Sequence, residues 1–204
     1  MQPVDPAAVA KRLGLRVIRK RLRAAALSGI HMYDEELGQH LILVNSGQPA
    51  FRQRFTLAHE IGHARFDRDT IVENVESPDS TPQEKRANAF ASELLLPEAG
   101  VKRWQPQAPW GSDIDDVARM ALHFGVSFQV ASWKLQNAGL VADARALIDR
   151  TSELDPQLRS QLRKPGDNET EYPDDFVELV KAGVDRELVS RGRAAELLAT
   201  DEVL

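Results

Sequence analysis

Apolar positions along the chain change their spacing once. From Leu15 to Asn45 they fall in three short runs, "LRVIRK", "LSGIHMYD" and "HLILVN", rich in β-branched residues, the last two separated by the turn-like "DEELGQ". From Phe51 onward they recur at three- and four-residue intervals, apart from loops at about 67–80, 104–112 and 151–173. Ahead of the strands, Asp5 as N-cap, Pro6 at the first helical position and Gly14 just past Leu13 delimit a short helix anchored by Val9 and Leu13. The order helix, strands, helices predicts an α+β fold, with a small, mostly antiparallel sheet packed on the helices that follow. The stretch "TSELDPQLRSQLRKPGDNETEYP" mixes proline, glycine and charge without period, which predicts a linker over 151–173 between a domain at 1–150 and a helical appendix at 174–204.

Composition changes this picture in two places. The 204 residues include no cysteine, which excludes disulfides, thiolate metal sites and a cysteine nucleophile, so any metal must be held by histidine and carboxylate. The net charge of -5 hides a basic N-terminal edge: Lys11, Arg12, Arg16, Arg19, Lys20, Arg21 and Arg23 face Asp5 alone. A solvated surface accounts for such an edge more simply than nucleic-acid binding, which stays open as the weaker reading. No apolar run reaches the roughly 20 residues that span a bilayer, and the first residues lack a signal-peptide apolar region; the expected location is the cytoplasm.

The stretch "RFTLAHEIGHARF" carries the chemistry. At 100° per residue, Phe51, Phe55, Ala58, Gly62, His63 and Phe66 fall within an arc of about -100° to +40° around His59, so both histidines lie on an apolar face. Leu57 and Ile61 occupy the opposite side, which predicts burial between the sheet and other helices. A lone buried histidine is satisfied by one hydrogen bond. Two histidines one turn apart can hold one Zn²⁺, and Glu60, about 100° around the helix, can reach a water on that metal without crowding its ligands. Residues 59–63 thus read H-E-x-x-H, with small Gly62 permitting close approach of a neighbour.

Catalytic zinc takes a third protein ligand. In "TPQEKRANAFASELLLP", Thr81 can cap, Pro82 suits the first helical position and Pro97 ends the run. Glu84 and Glu93 are nine residues apart, hence about 180° apart on the helix, and only one can face the site. Ala87, Asn88, Ala91, Leu94 and Leu95 share the Glu84 side, and a carboxylate on an inward stripe is tolerable when a cation neutralises it. Glu84 is therefore the expected ligand, although Thr81 and Glu84 also match a capping box, in which the carboxylate bonds its own N-cap. Asn88, one turn on, can orient an imidazole through the nitrogen that does not bind metal.

Those two segments, with "VDPAAVAKRLGLRV", "LSGIHMY" and "LHFGVSFQVASWKLQNAGLV", resemble the ImmA/IrrE metallopeptidases over most of residues 4–150. The resemblance implies a reduced thermolysin-like domain, His59, His63 and Glu84 as zinc ligands and Glu60 as general base. It also implies a protein substrate, a helix-turn-helix transcriptional repressor of mobile-element, stress or DNA-damage responses. The acidic loop "DRDTIVENVESPDS" matches no motif of that family. In the tail, "SRGRAAELL" is similar to a helix-turn-helix second helix, and a protein-binding pair of helices is the simpler expectation for it. "FGVSFQVASWKLQNAG" is also helix-turn-helix-like, with Ser127 as N-cap, Gly139 as stop, and Val126, Val130 and Trp133 expected to pack. For the oxyanion, His31, Tyr33, His123 and Tyr172 remain unranked candidates. The competing function class is a non-proteolytic regulatory protein with a structural or sensory zinc, and an intact Glu60 speaks against it.

Overall fold

The computed structural model describes residues 2–22, 27–36, 38–67, 72–73, 81–166 and 168–198, the pair 72–73 by its backbone alone. Asp5 caps α1 (Pro6–Arg12) by accepting from the Ala7 amide. The strands β1 (Arg16–Lys20), β2 (Gly29–Asp34), β3 (Gln39–Asn45) and β4 (Val72–Glu73) form one sheet in the order β1-β3-β2-β4. β2 pairs antiparallel with both β3 and β4, whereas β1 runs parallel to β3. Most of the acidic 67–80 segment and Arg23 lie outside the described residues.

α2 (Ala50–Phe66) is the centre of the molecule. On one flank Leu57 and Ile61 pack with Ile42 and Val44 of β3 and with Ala10 of α1. On the other, Ala58 joins the main core, built from α3 (Pro82–Leu95), α4 (Glu98–Arg103), α5 (Ile114–Phe124), α6 (Phe128–Asn137) and α7 (Ala144–Asp149). Covering both flanks with apolar residues forces every side chain between them indoors, so the polar residues of α2 are buried by its position and not by their own preference.

Three local readings change. Within 151–173, Thr151–Glu153 form a 3₁₀ turn and Pro156–Leu162 form α8, capped by Asp155, which accepts from the Gln157 and Leu158 amides. Leu154 is buried and Leu158 and Leu162 pack on the main core, so the first half of that stretch is ordered by apolar anchors too few to make a visible period. Trp133, expected to pack, is 39% exposed, while Val126 is fully buried and Val130 packs on the core. Finally, part of the basic edge is met by the tail: Lys11 pairs with Asp174 (3.0 Å), Arg16 with Asp175 (2.5 Å) and Arg19 with Glu171 (3.1 Å), while Arg12, Lys20 and Arg21 lie on the exposed surface as expected. Arg19 and Glu171 also exchange backbone hydrogen bonds at 2.9 Å, laying the tail's entry along the edge of β1. It leads into α9 (Asp174–Asp185) and α10 (Arg191–Leu198).

Candidate metal centre

α2 delivers His59 and His63 to one face, and α3 delivers Glu84 opposite them. The two helices approach closely because position 62 has no side chain: a Cβ on Gly62 would stand 3.2 Å from Ala87 Cα and from Phe90 Cδ1. Glu84 Oε2 is 3.2 Å from His59 Nε2, Glu84 Oε1 is 3.3 Å from His63 Nε2, and the two Nε2 atoms are 2.9 Å apart. All three residues are buried.

These separations fit a cation. Ligands bound tetrahedrally at about 2.0 to 2.1 Å stand about 3.3 Å from one another. Ring geometry argues the same way. The His59 and His63 centroids are only 4.7 Å apart with planes at 70°, less than the nitrogen–nitrogen distance plus a ring radius at each end. The two nitrogens therefore lie off the line joining the ring centres, unlike a collinear hydrogen-bonded pair, and both stand within 3.3 Å of the Glu84 carboxylate. His₂-carboxylate is a donor set suited to such an ion.

Partners on the far side of each ring hold the lone pairs inward. His59 Nδ1–H donates to Asn88 Oδ1 at 2.9 Å, and His63 Nδ1–H donates to Asp67 Oδ2 at 3.1 Å, a tautomer assignment that follows from the acceptors present. Burial, and then the neighbouring His63, push the His59 pKa down to about 4 against the Asn88 bond, so its imidazole is neutral near pH 7. Asp67 is in turn bound by Arg86 of α3, tying the two helices together. Asp67 and Arg86 escaped the sequence reading, although Asp67 sits four residues after His63 and hence on its face of the helix.

Residues 10–136, more than half of the chain, match the IrrE N-terminal-like domain, a peptidase family. The chain belongs to this family. None of the curated proteins matches it. Membership makes this IrrE N-terminal-like chain a metallopeptidase in general class, and its buried His59, His63 and Glu84 are the residues that fit a metal cofactor.

The competing carboxylate lies elsewhere: Glu93 pairs with Lys134 of α6 and accepts from the Glu98 amide. Thr81 Oγ1 accepts from the Glu84 amide at 3.2 Å, so the backbone half of the capping box exists while the Glu84 carboxylate faces the imidazoles. Glu60 is fully buried, and β2 lies directly on it: a Cβ on Gly29 would be 3.0 Å from Glu60 Oε1 and 2.4 Å from Thr56 Cγ2. Of the four oxyanion candidates, His31 is held below the ordinary imidazole value by burial first, with His40 and then His63 of the centre adding to the effect. Tyr33 packs on His40, His123 on Trp104 and Phe124, and Tyr172 on Phe176. Among the described residues, no helix is long and apolar enough to cross a membrane.

Proposed function

We propose that this chain is a zinc endopeptidase that hydrolyses a peptide bond in a protein partner, a helix-turn-helix transcriptional repressor. The observation that carries the chemistry is the convergence of His59, His63 and Glu84 beside a buried Glu60 on the same helix. Bound there, zinc supplies a Lewis acid that polarises a carbonyl and makes water more acidic. His59 and His63 offer Nε2 lone pairs, held in that tautomer by Asn88 and Asp67. The Glu60 carboxylate takes a proton from the attacking water as the C–O bond forms, and delivers it to the amine nitrogen as the C–N bond breaks. The repressor as substrate is supported by the family resemblance of the first two motifs, and the paired helices α9 and α10 would supply recognition.

Glu60→Gln tests the proposal. It replaces the proton acceptor with a group of the same shape, so metal content should stay at one ion per chain while cleavage of a co-expressed helix-turn-helix regulator, read by mass spectrometry, falls by about 10²- to 10⁴-fold. A Glu60→Gln protein that relieves repression in cells as well as the parent does would mean that hydrolysis is not how the chain acts, and a sensory or anti-repressor role would replace it.

A further inference from the structure

A second pair of histidines lies beside the metal centre and is arranged differently. His31 of β2 is fully buried, and its Nε2 is 2.8 Å from Nδ1 of His40 on β3. The ring centroids are 5.1 Å apart with planes 25° from parallel. Here the centroid distance equals the nitrogen–nitrogen distance plus a ring radius at each end, so both nitrogens lie on the line between the centroids. The rings are joined edge to edge by one shared proton. No cation fits between nitrogens so aligned, and this pair is a hydrogen-bonded chain where His59 and His63 are a ligand pair.

The inner end of that chain faces the site. Side chains alternate along a strand, so His31 shares the side of β2 on which Gly29 rests against Thr56 and Glu60. Two residues further along β2, His31 feels His63 and Asp67, the next groups on the same stripe of α2. Its remaining nitrogen, Nδ1, is buried and meets no hydrogen-bond partner among the described residues. Leaving such a group unmatched destabilises the fold, a penalty that a bound molecule removes.

The geometry points to His31 as a substrate-binding residue whose Nδ1–H donates to an oxygen of the peptide group held at the metal centre, with His40 as the positioning residue that fixes this tautomer by donating its own Nδ1–H to His31 Nε2. The inference rests on the metallopeptidase reading above. It explains why a strand adjoining Glu60 carries a buried histidine tethered at its outer nitrogen and unmatched at its inner one.

The two nitrogens can be tested apart. An asparagine amide reaches where the imidazole Nδ1 stands, and a glutamine amide reaches where Nε2 stands. Acetohydroxamate, a peptide-like chelator, is titrated into Co²⁺-loaded protein and followed by the visible spectrum of the ion. His31→Gln keeps the bond to His40 and should weaken the hydroxamate about five- to tenfold with Co²⁺ content unchanged. His31→Asn should restore binding, the reverse of what a purely structural role demands. His40→Ala, at a half-buried position, should weaken binding by less, and carries the test if His31→Gln is poorly folded. Hydroxamate binding unchanged in both His31→Gln and His40→Ala overturns the inference, as does a Co²⁺-loaded parent that takes no hydroxamate. A parent that binds no Co²⁺ at all overturns the metallopeptidase reading instead.

Discussion

Around α2 and α3 this chain takes charge out of water; along its C-terminal segment it leaves charge in it. Glu60, His63, Asp67 and Glu84 are all buried; His63 and Glu84 face each other, and Asp67 meets a guanidinium that ties two helices. The tail is docked through Lys11–Asp174, whose side chains are 80% and 87% exposed, and through two pairs in which the arginine is partly buried and the carboxylate stays largely in water. Pairing of opposite charges thus means two things in one molecule. Inside, breaking a pair leaves a desolvated charge and costs several kcal/mol; outside, it returns two groups to water at almost no cost.

The contrast is sharpest at the metal. His59→Ala or His63→Ala should abolish stoichiometric zinc, and Glu84→Gln should weaken it greatly while Glu93→Gln, whose carboxylate serves Lys134, leaves it intact. Elemental analysis of the purified variants decides this. Full zinc in Glu84→Gln with loss in Glu93→Gln would return Glu84 to the role of a cap.

Next come the cores. Leu95 and Ile61 are fully buried, one against the helices and one against the sheet, so either change to alanine should cost about 2 to 5 kcal/mol in denaturant unfolding. Leu188, 78% exposed in the turn between α9 and α10, should change stability by less than about 0.5 kcal/mol as Leu188→Ala. Equal losses at the two places would mean that the tail is part of the core.

Acid should act on the interior alone. His59 and His31 are both held down to about 4 by burial, from an ordinary value of 6.5, so in the metal-free protein they stay neutral while the unfolded chain takes up protons. Their contribution is complete above pH 6.5, is lost progressively as pH falls towards 4, and changes no further below that. Melting temperature against pH in chelator should show this slope, and His31→Gln should reduce it.

The smallest effect belongs to the tail. Asp174→Asn with Asp175→Asn should change global stability by less than about 1 kcal/mol, with the same effect reached in the parent by raising salt. If the appendix is separable, as proposed for 174–204, a chain ending at Arg163 should still fold and hold one metal ion. Insoluble or metal-free protein would place Val180 and Ala194, buried in the full chain, within the main core.

The parts of the centre that the sequence reveals are those coded by spacing within one element. His59 and His63 share a face because they are four apart, and of two glutamates half a revolution apart on α3 it is Glu84 that shares the buried stripe of Ala87, Ala91 and Leu95. Asn88 followed from the same arithmetic. What stayed hidden depends on which elements meet. That His31 lies against the Glu60 stripe is decided by β2 crossing α2, and the parallel placement of β1 beside β3 is a pairing between strands that are not consecutive in the chain. The pairing of Arg86 on α3 with Asp67 at the end of α2 likewise depends on how those two helices pack. α8 was hidden for another reason: three apolar contacts, from Leu154, Leu158 and Leu162, suffice to hold a seven-residue helix against a core already built.

The close crossing at Gly62 has a kinetic side. All three candidate ligands come from two helices close together in sequence, between His59 and Glu84, whereas the sheet that covers them needs the longer closure of β4 on β2, where Glu73 pairs with Ile30. Contacts between near neighbours in sequence form ahead of distant ones. The helical hairpin of α2 and α3 can therefore meet its ion while the rest of the chain is still open, which makes the metal a participant in folding as well as a cofactor of the finished site. Zinc added at the start of refolding should then raise the folding rate itself, whereas an ion bound only by the completed structure would slow unfolding and leave that rate unchanged.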